Sequence, residues 1–579
     1  MTRSAPPPLS RLLKQLELLR LHYGELAAAD KTLLVQQIGV RSFSRPELLV
    51  RYHEILCWMA AYPDHRRLLS LVRGELKRFG ARADVARHRE ALRNSGIAGT
   101  DMHYRFFWMM ARWLAKQAGG QLQIDWTVPY FEPGLRAALP LFLGWSRAEA
   151  AKRSTLPLRQ LIDHCRATDP YEEYKTASRT DAVWLTTAIE RLPGDDFTRE
   201  RLHDSIDPAY VLTATPHFAS RTLAYHQPAP LVFRRQPPQS ERPVLSRELA
   251  RAPLALTRCA APLANALLDL ARQAMLTRER DLAAFSWGDA RDVMLIDDGD
   301  GLSFALIGSP PQRRLPLPAV HGWLMLRNRV PIGYVQTDSL LHGTEVAFNL
   351  FPSFRGGEAA YLFARLLAVA RWLLGARAFS IEPYQLGEDN DEAIASGAWW
   401  FYYKLGFRPI ASQPQQALAR ELARMRKQPS QRASERVLRQ LAAGHMVFEP
   451  DPQYRAWLPW IPGLGLAAKL TSEDDANDRA LRRFKVSSTA AWSNDERLAW
   501  RRFSPVLMSL DGVNRWCEQD KETAVRAIRA KGGKRELSYL KQVNRHAVLG
   551  RSLIRLLEAA KRSKTVDPVA TPTQFSRDE

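Results

Sequence analysis

Between Leu9 and about Thr213 the apolar positions fall three and four residues apart. Leu12, Leu16 and Leu19 share one face, Leu48 to Ala61 repeats the spacing, and arginines and lysines fill the gaps. That period predicts amphipathic helices packed into a mainly helical region. Arg105 to Gln117 (RFFWMMARWLAKQ) reads as one more apolar helix, and Gln121 to Phe131 (QLQIDWTVPYF) alternates like a strand. His103, Tyr104 and Trp108 sit among apolar neighbours at helical spacing, which favours core packing over a binding site.

Both periods fade between Gln227 and Pro243 (QPAPLVFRRQPPQSERP), where proline density predicts a linker, placed at residues 214–249. Residues 250–450 then mix short runs of both kinds. Leu254 to Thr257 is a strand candidate and Ala261 to Met275 a helix. His321 to Asn328 and Pro331 to Thr337 flank a basic turn as a hairpin would. Glu345 to Phe351 predicts a strand, Gly356 to Leu374 a helix, Ala378 to Tyr384 a strand and Ala393 to Leu405 a helix. Strand, helix, strand, helix in that order implies a parallel crossover pair. An insert from Ser412 to about Ala443 reads as two helices, and His445 to Glu449 as a returning final strand. Residues 451–564 are helical and basic, and 565–579 lack any period, as a frayed tail does.

Length and composition narrow the picture. A chain of 579 residues suggests three or four folding units. With 46% hydrophobic and 25% charged residues, wholesale disorder is excluded. A formal net charge of +22 favours anionic partners, without choosing among phosphates, nucleic acid and acidic surfaces. The four cysteines, Cys57, Cys165, Cys259 and Cys517, form no C-x-x-C pair. Neither a zinc site nor a disulfide framework is expected, and the usage suits a reducing compartment. Tyr361 to Leu374 is interrupted by Arg365 and Arg371, and the apolar run after Trp457 stops at Lys469. Both are short of the roughly 20 residues that span a bilayer. Met1 to Ser10 has no apolar core of a leader peptide, so a cytoplasmic location is expected.

Chemistry concentrates between Glu345 and Pro409. A strand runs into FPSFRGGEAA, residues 351–360, and a helix follows at once. A glycine-bearing turn at a helix N-terminus offers backbone N–H groups and partial positive charge to an anion. Further on, FYYKLGFRP, residues 401–409, ends a helix at Leu405-Gly406. Hairpin Gly322 to Thr337, strand Glu345 to Phe351, loop Arg355 to Ala360, strand Ala378 to Tyr384 and closing Tyr402 to Phe407 come in that order. This arrangement resembles the GNAT superfamily of acyl-coenzyme A-dependent N-acyltransferases over roughly the middle third of the chain.

The resemblance implies an α/β GNAT-like domain, with a mostly antiparallel central sheet and a splayed parallel pair, between mainly helical N- and C-terminal regions. It implies acetyl-coenzyme A or another acyl-coenzyme A as co-substrate, an amine acceptor and no metal. Phe351, Arg355, Gly356, Gly357, Glu358, Ala359 and Ala360 are the expected diphosphate cradle, with Asn390 against the cofactor arm. Glu358 stands where the family loop has glycine, and its carboxylate would repel a diphosphate unless it turns outward. Backbone near Asn349 to Phe351 would steady the carbonyl oxygen. Tyr402 is the expected proton donor to the leaving thiolate, with Tyr403 its rival. Glu345 is the leading base, and Glu382 and Asp338 are alternatives. Asn390 to Tyr402 is about one helical turn longer than the family spacing, the extra residues being Ser396 to Trp400.

Lys521 to Lys564 carries 13 Lys or Arg against 3 acidic residues. It is either a solvated face over an apolar stripe that includes Ile528, Leu540 and Leu553, or a surface for nucleic acid or an acidic protein. Two functions therefore compete. One is an N-acyltransferase; the other is a non-catalytic GNAT-like scaffold or nucleic-acid-binding protein working through its basic helices.

Overall fold

The computed structural model describes residues 7–118, 120–167, 180–226, 230–239, 241–457, 459 and 473–562. The apolar run after Trp457 and the tail expected at 565–579 lie outside them. The chain forms two compact units rather than three domains joined by a linker. The first comprises residues 1–237, 269–286 and 328–331; the second comprises 238–268, 287–327 and 332–579.

In the first unit, helices such as Leu9–Leu19, Pro46–Ala61 and Arg66–Phe79 bury the predicted stripes, with Leu12, Leu16 and Leu49 in the core. The unit also carries a small antiparallel sheet, of which alternation predicted only the strand within Gln121 to Phe131. Its strands are β1 (Asp101–Tyr104), β2 (Leu122–Ile124) and β3 (Tyr210–Thr213), with β3 in the middle. Trp108 is fully buried, while His103 lies on β1 and bonds Asp125 at 2.6 Å. Residues 214–226 are no linker: Thr222 is buried and its hydroxyl joins the Ala98 amide and the His53 ring.

Among the described residues the second unit is built on nine strands, mixed α/β with a large, mostly antiparallel open sheet. They are β4 (Ala255–Arg258), β5 (Val293–Gly299), β6 (Leu302–Gly308), β7 (Ala319–Arg327), β8 (Val330–Leu340), β9 (Gly343–Leu350), β10 (Ala378–Ile381), β11 (Arg408–Pro409) and β12 (Met446–Phe448). Their order across the sheet is β11-β12-β10-β9-β8-β7-β6-β5-β4. The pair β9–β10 is parallel, joined by the helix α1 (Ala359–Leu374), as strand-helix-strand order implies. Pairing runs only from Ala378↔Gly343 to Ser380↔Glu345. Beyond Glu345, β9 continues to Leu350 without β10 beside it, so the sheet opens there.

Gly333 in β8 is required by close approach. A β-carbon there would collide with the Asn349 carbonyl of β9 and the Met325 side chain. Gly333→Ala is expected to destabilise this unit by about 1–3 kcal/mol, by forced overpacking; urea unfolding monitored by tryptophan fluorescence measures it.

The basic C-terminal helices belong to this same unit, and a buried polar network is the reason. The Arg314 guanidinium donates to the Lys531 and Gly533 carbonyls at 2.7 and 2.5 Å. Asp292 accepts from the Glu536 amide at 3.0 Å, and Lys531 pairs with Glu536 at 2.6 Å. Tyr539 donates to the Leu317 carbonyl at 2.6 Å. Ile528, Leu540 and Leu553 are buried, so the apolar stripe is core. Lys521 and Lys531, counted with the solvated cations in the sequence, are buried too.

Candidate functional site

The segment predicted as one helix over Ala393 to Leu405 is two, α2 (Asp391–Ser396) and α3 (Ala398–Lys404). Gly397 separates them with φ of +69°, a left-handed conformation that glycine adopts without steric cost. The break restarts the helical phase at Ala398. Trp400, Phe401 and Lys404 thereby turn toward the start of α1, where they line a cleft of about 370 Å³. Gly356, Gly357, Ala359 and Ala360 form its other wall, with Arg242 at the rim.

The cleft has the chemistry of an anion site. The amides of Gly357, Ala360 and Tyr361, at the entry of a 16-residue helix, donate to no described residue. A β-carbon on Gly356 would meet nothing within 4 Å, so backbone is open to a ligand. Arg242 and Lys404 are exposed, and neither has an ion pair or hydrogen bond among the described residues. Among the described residues, none that lines the cleft is acidic.

Three expected cradle residues, and Asn390, are placed elsewhere. Glu358 turns neither outward nor into the cleft. Its carboxylate is buried and paired with the fully buried Arg327 guanidinium at 2.7 Å, so it does not face a bound anion. Arg355 donates to the Leu350 carbonyl at 3.0 Å and pairs with Glu392, leaving the cleft without it. Phe351 is buried, its ring 5.9 Å from that of Tyr334, and its amide donates to Ile332. Asn390 caps α2, accepting from the Ala393 amide at 3.0 Å and donating to the Tyr384 carbonyl at 3.1 Å. Both ends of its side-chain amide are engaged in the cap. Gly356, Gly357, Ala359 and Ala360 remain at the cleft.

Phe401 links the cleft to the opening in the sheet. Its ring stacks on Phe348 of β9, beyond the last β9–β10 pair, with centroids 6.4 Å apart. Because Phe351 and, two residues back, Asn349 turn their amides to β8, the amides of Phe348 and Leu350 face the gap. Tyr402 is buried against Phe363, Phe401 and Phe407 and does not line the cleft. Its hydroxyl has no hydrogen-bond partner among the described residues. Burial, reinforced by the Glu382 carboxylate, pushes its phenol above the ordinary tyrosine range. Tyr403 stacks on Trp399 and holds Arg408 over its ring.

The three base candidates gather on one face of the sheet. Asp338 stands directly opposite Glu345, and Ser380 flanks Glu345 on β10. Ser380 donates to Glu345 at 3.2 Å, the His445 ring lies 3.4 Å from it, and Gln336 donates to Asp338 at 3.0 Å. Glu382, two residues beyond Ser380, points to the same side. Burial first, then Glu345, pushes the Asp338 carboxyl up to about 7. Burial, Glu345 and Asp338 push Glu382 up to about 8. The folded protein thus holds protons that the unfolded chain has already released above pH ~4, so these groups lower stability as pH rises toward 8. Glu382→Gln is expected to raise the melting temperature by about 2–4 °C at pH 8 and hardly at all at pH 5, in a fluorimetric melt.

Arg242, Trp400, Lys404 and His445 are the site residues that sequence reasoning did not assign. Lys404 lies inside the quoted FYYKLGFRP pattern, whereas Arg242 carries no local signal. Among the described residues no helix is long and apolar enough to cross a membrane. No family model, no curated protein and no solved structure matches this chain.

Proposed function

We propose that the chain is an acyl-coenzyme A-dependent N-acyltransferase. One observation carries the reading: free helix-entry amides and two uncommitted cations meet in a cleft beside a split parallel strand pair. The open Gly356 backbone and the absence of acidic lining fit a diphosphate. When bound, the coenzyme supplies an acyl group activated as a thioester. Amides of Gly357, Ala360 and Tyr361 hold its phosphates, with Arg242 and Lys404 as charge-assisted donors. The Phe348 and Leu350 amides face the gap, where they would stabilise an oxygen that gains charge. Glu345, with Asp338 and Glu382 beside it, takes a proton from the amine, and the Tyr402 hydroxyl returns one to the leaving sulfur.

Acetyl-coenzyme A is expected to raise the melting temperature of the intact chain by linkage. Arg242→Ala and Lys404→Ala should each weaken binding about tenfold, one charge-assisted contact apiece. Tyr402→Phe should lower turnover far more than coenzyme affinity. A melting curve unmoved by acetyl-, longer acyl- and free coenzyme A would overturn the assignment.

A second reading, anion binding by the C-terminal helices, rests on a cation cluster. Burial lowers the Lys541 ammonium, and the nearby Arg545 and Arg258 lower it further. Nucleic-acid binding there would weaken steeply with salt and disappear in a Lys541→Glu/Arg545→Glu variant.

A further inference from the structure

Arg329 occupies a position that suits arginine poorly. It is the second residue of the Asn328-Arg329 turn between β7 and β8, and residues 328–331 pack within the first unit. Asn328 and Arg329 have φ of +45° and +73°. A hairpin turn with both central φ values positive favours Asn followed by Gly, because a side chain at the second place is strained. The turn is nonetheless fixed. The Asn328 side chain donates to the Ala61 carbonyl at 2.9 Å and accepts from the Val232 amide at 2.8 Å. The His226 amide donates to the Arg329 carbonyl at 3.0 Å.

Held there, Arg329 lies beside Arg73, Tyr225 and His226. Arg73 keeps its guanidinium over the Tyr225 ring, 4.8 Å from the centroid. Burial first, then the Arg73 charge, lowers the Arg329 guanidinium from its ordinary value, and burial followed by Arg329 lowers the His226 imidazole. Arg73 Nη2 and Arg329 Nε are both buried and have no hydrogen-bond partner. Among the described residues no carboxylate pairs with Arg73, Arg329 or His226. Buried N–H groups are normally satisfied, and two guanidiniums left so beside each other lack an acceptor that carries negative charge. The row of cations continues along the helix Arg66–Phe79. Arg66, Ser70, Arg73 and Lys77 recur at helical spacing on one face, while Leu68, Val72 and Leu76 are buried. Arg66 and Lys77 are exposed and unpaired among the described residues. Glu75, the one acid of this helix, is buried and pairs with Arg78.

We propose that this face of the first unit, with Arg66, Arg73, Lys77, Arg329 and His226, binds the phosphate backbone of a nucleic-acid strand. A lone phosphate would meet Arg73 and Arg329 only. Uncompensated charge that runs about 16 Å from residue 66 to residue 77 matches a polyanion whose phosphates recur at short intervals. Each guanidinium fork can give two N–H bonds to one phosphate, and the Ser70 hydroxyl adds a neutral donor on the same face. The Tyr225 ring carries Arg73 on its face, so contact falls on the backbone and is independent of base sequence. The site is distinct from the C-terminal cation cluster and does not rest on the transferase reading.

The test is fluorescence anisotropy of a fluorescein-labelled oligouridylate titrated with the full chain, beside calorimetric titration with inorganic phosphate. Saturable binding of the strand is expected at about 50 mM salt, at least tenfold weaker at about 200 mM. Arg73→Gln and Arg329→Gly should each weaken it about tenfold and make its salt dependence shallower. Glycine takes the left-handed conformation without steric cost, so an unreduced melting temperature verifies the fold of Arg329→Gly. Should either variant fail to fold, the exposed pair Arg66→Ala/Lys77→Ala replaces it. Lys14→Ala removes one exposed cation from another helix and should leave affinity within about twofold. The proposal is overturned if the strand does not bind saturably, or if the folded variants bind as tightly as the parent. It is equally overturned if Lys14→Ala loses as much as they do, which would mean general adhesion to a basic surface. Saturable phosphate binding without strand binding also overturns it, as does loss of the strand in Lys541→Glu/Arg545→Glu alone.

Discussion

Arg327→Leu is expected to cost the sheet-bearing unit about 3–5 kcal/mol, because it leaves the Glu358 carboxylate buried without its guanidinium. Arg327 is fully buried, and besides Glu358 it donates to the Asp300 carbonyl at 2.6 Å. The charge left behind would have to be protonated or drag water into the core. The informative comparison is the double variant Arg327→Leu/Glu358→Leu. Removing both charges restores most of the loss, so the coupling energy between the sites should be several times that of a surface pair. Urea denaturation of the four proteins in the cycle reads it out. Additive single losses would mean that the pair does not hold the loop. The pairing has a functional side as well. It keeps a negative charge beside the cleft turned into the protein, so the single variant should also weaken binding of any anion there.

Ala360→Trp carries the largest effect expected on ligand binding. Ala360 is partly exposed and lines the cleft opposite Trp400 and Lys404. An indole placed there fills much of the 370 Å³ and covers the open amides. Loss of acetyl-coenzyme A affinity by at least 100-fold is expected, with the unliganded melting temperature nearly unchanged because the side chain enters the open cleft and not the core. Titration calorimetry and a melt, run in parallel, separate the two. Unchanged affinity would place coenzyme binding away from the start of α1.

Elements with a clean local period are legible in the sequence. The β7–β8 hairpin, β9, α1 and β10 fall within a few residues of their predicted bounds, since alternation and helical spacing both report burial directly. The hairpin of β5 and β6 is not legible in the same way. Its apolar run is broken by Asp297, Asp298, Gly299, Asp300 and Gly301, and Asp298 is neutralised by Arg365, 67 residues away. In the sheet of β1 to β3 only β2 shows in local alternation; β1 and β3 are four residues long, and about 90 residues separate β2 from β3. At the site, sequence locates the glycine turn and the carboxylates. It cannot orient Glu358, whose direction is set by Arg327, or bring Arg242 out of a proline-rich stretch to the cleft rim. Spacing tells which residues share an element; long-range charge pairing decides where a side chain points.

The network of Arg314, Asp292, Lys531 and Glu536 has a consequence for synthesis on the ribosome. Strands β5 to β7 emerge more than 200 residues before the carbonyls and amide that satisfy their buried charges. Until then Arg314 has only the Ser309 carbonyl and Asp292 as partners, so the rest of its hydrogen bonding must come from water. Chains stopped before residue 531 are therefore expected to remain sensitive to added protease, whereas the full chain resists it.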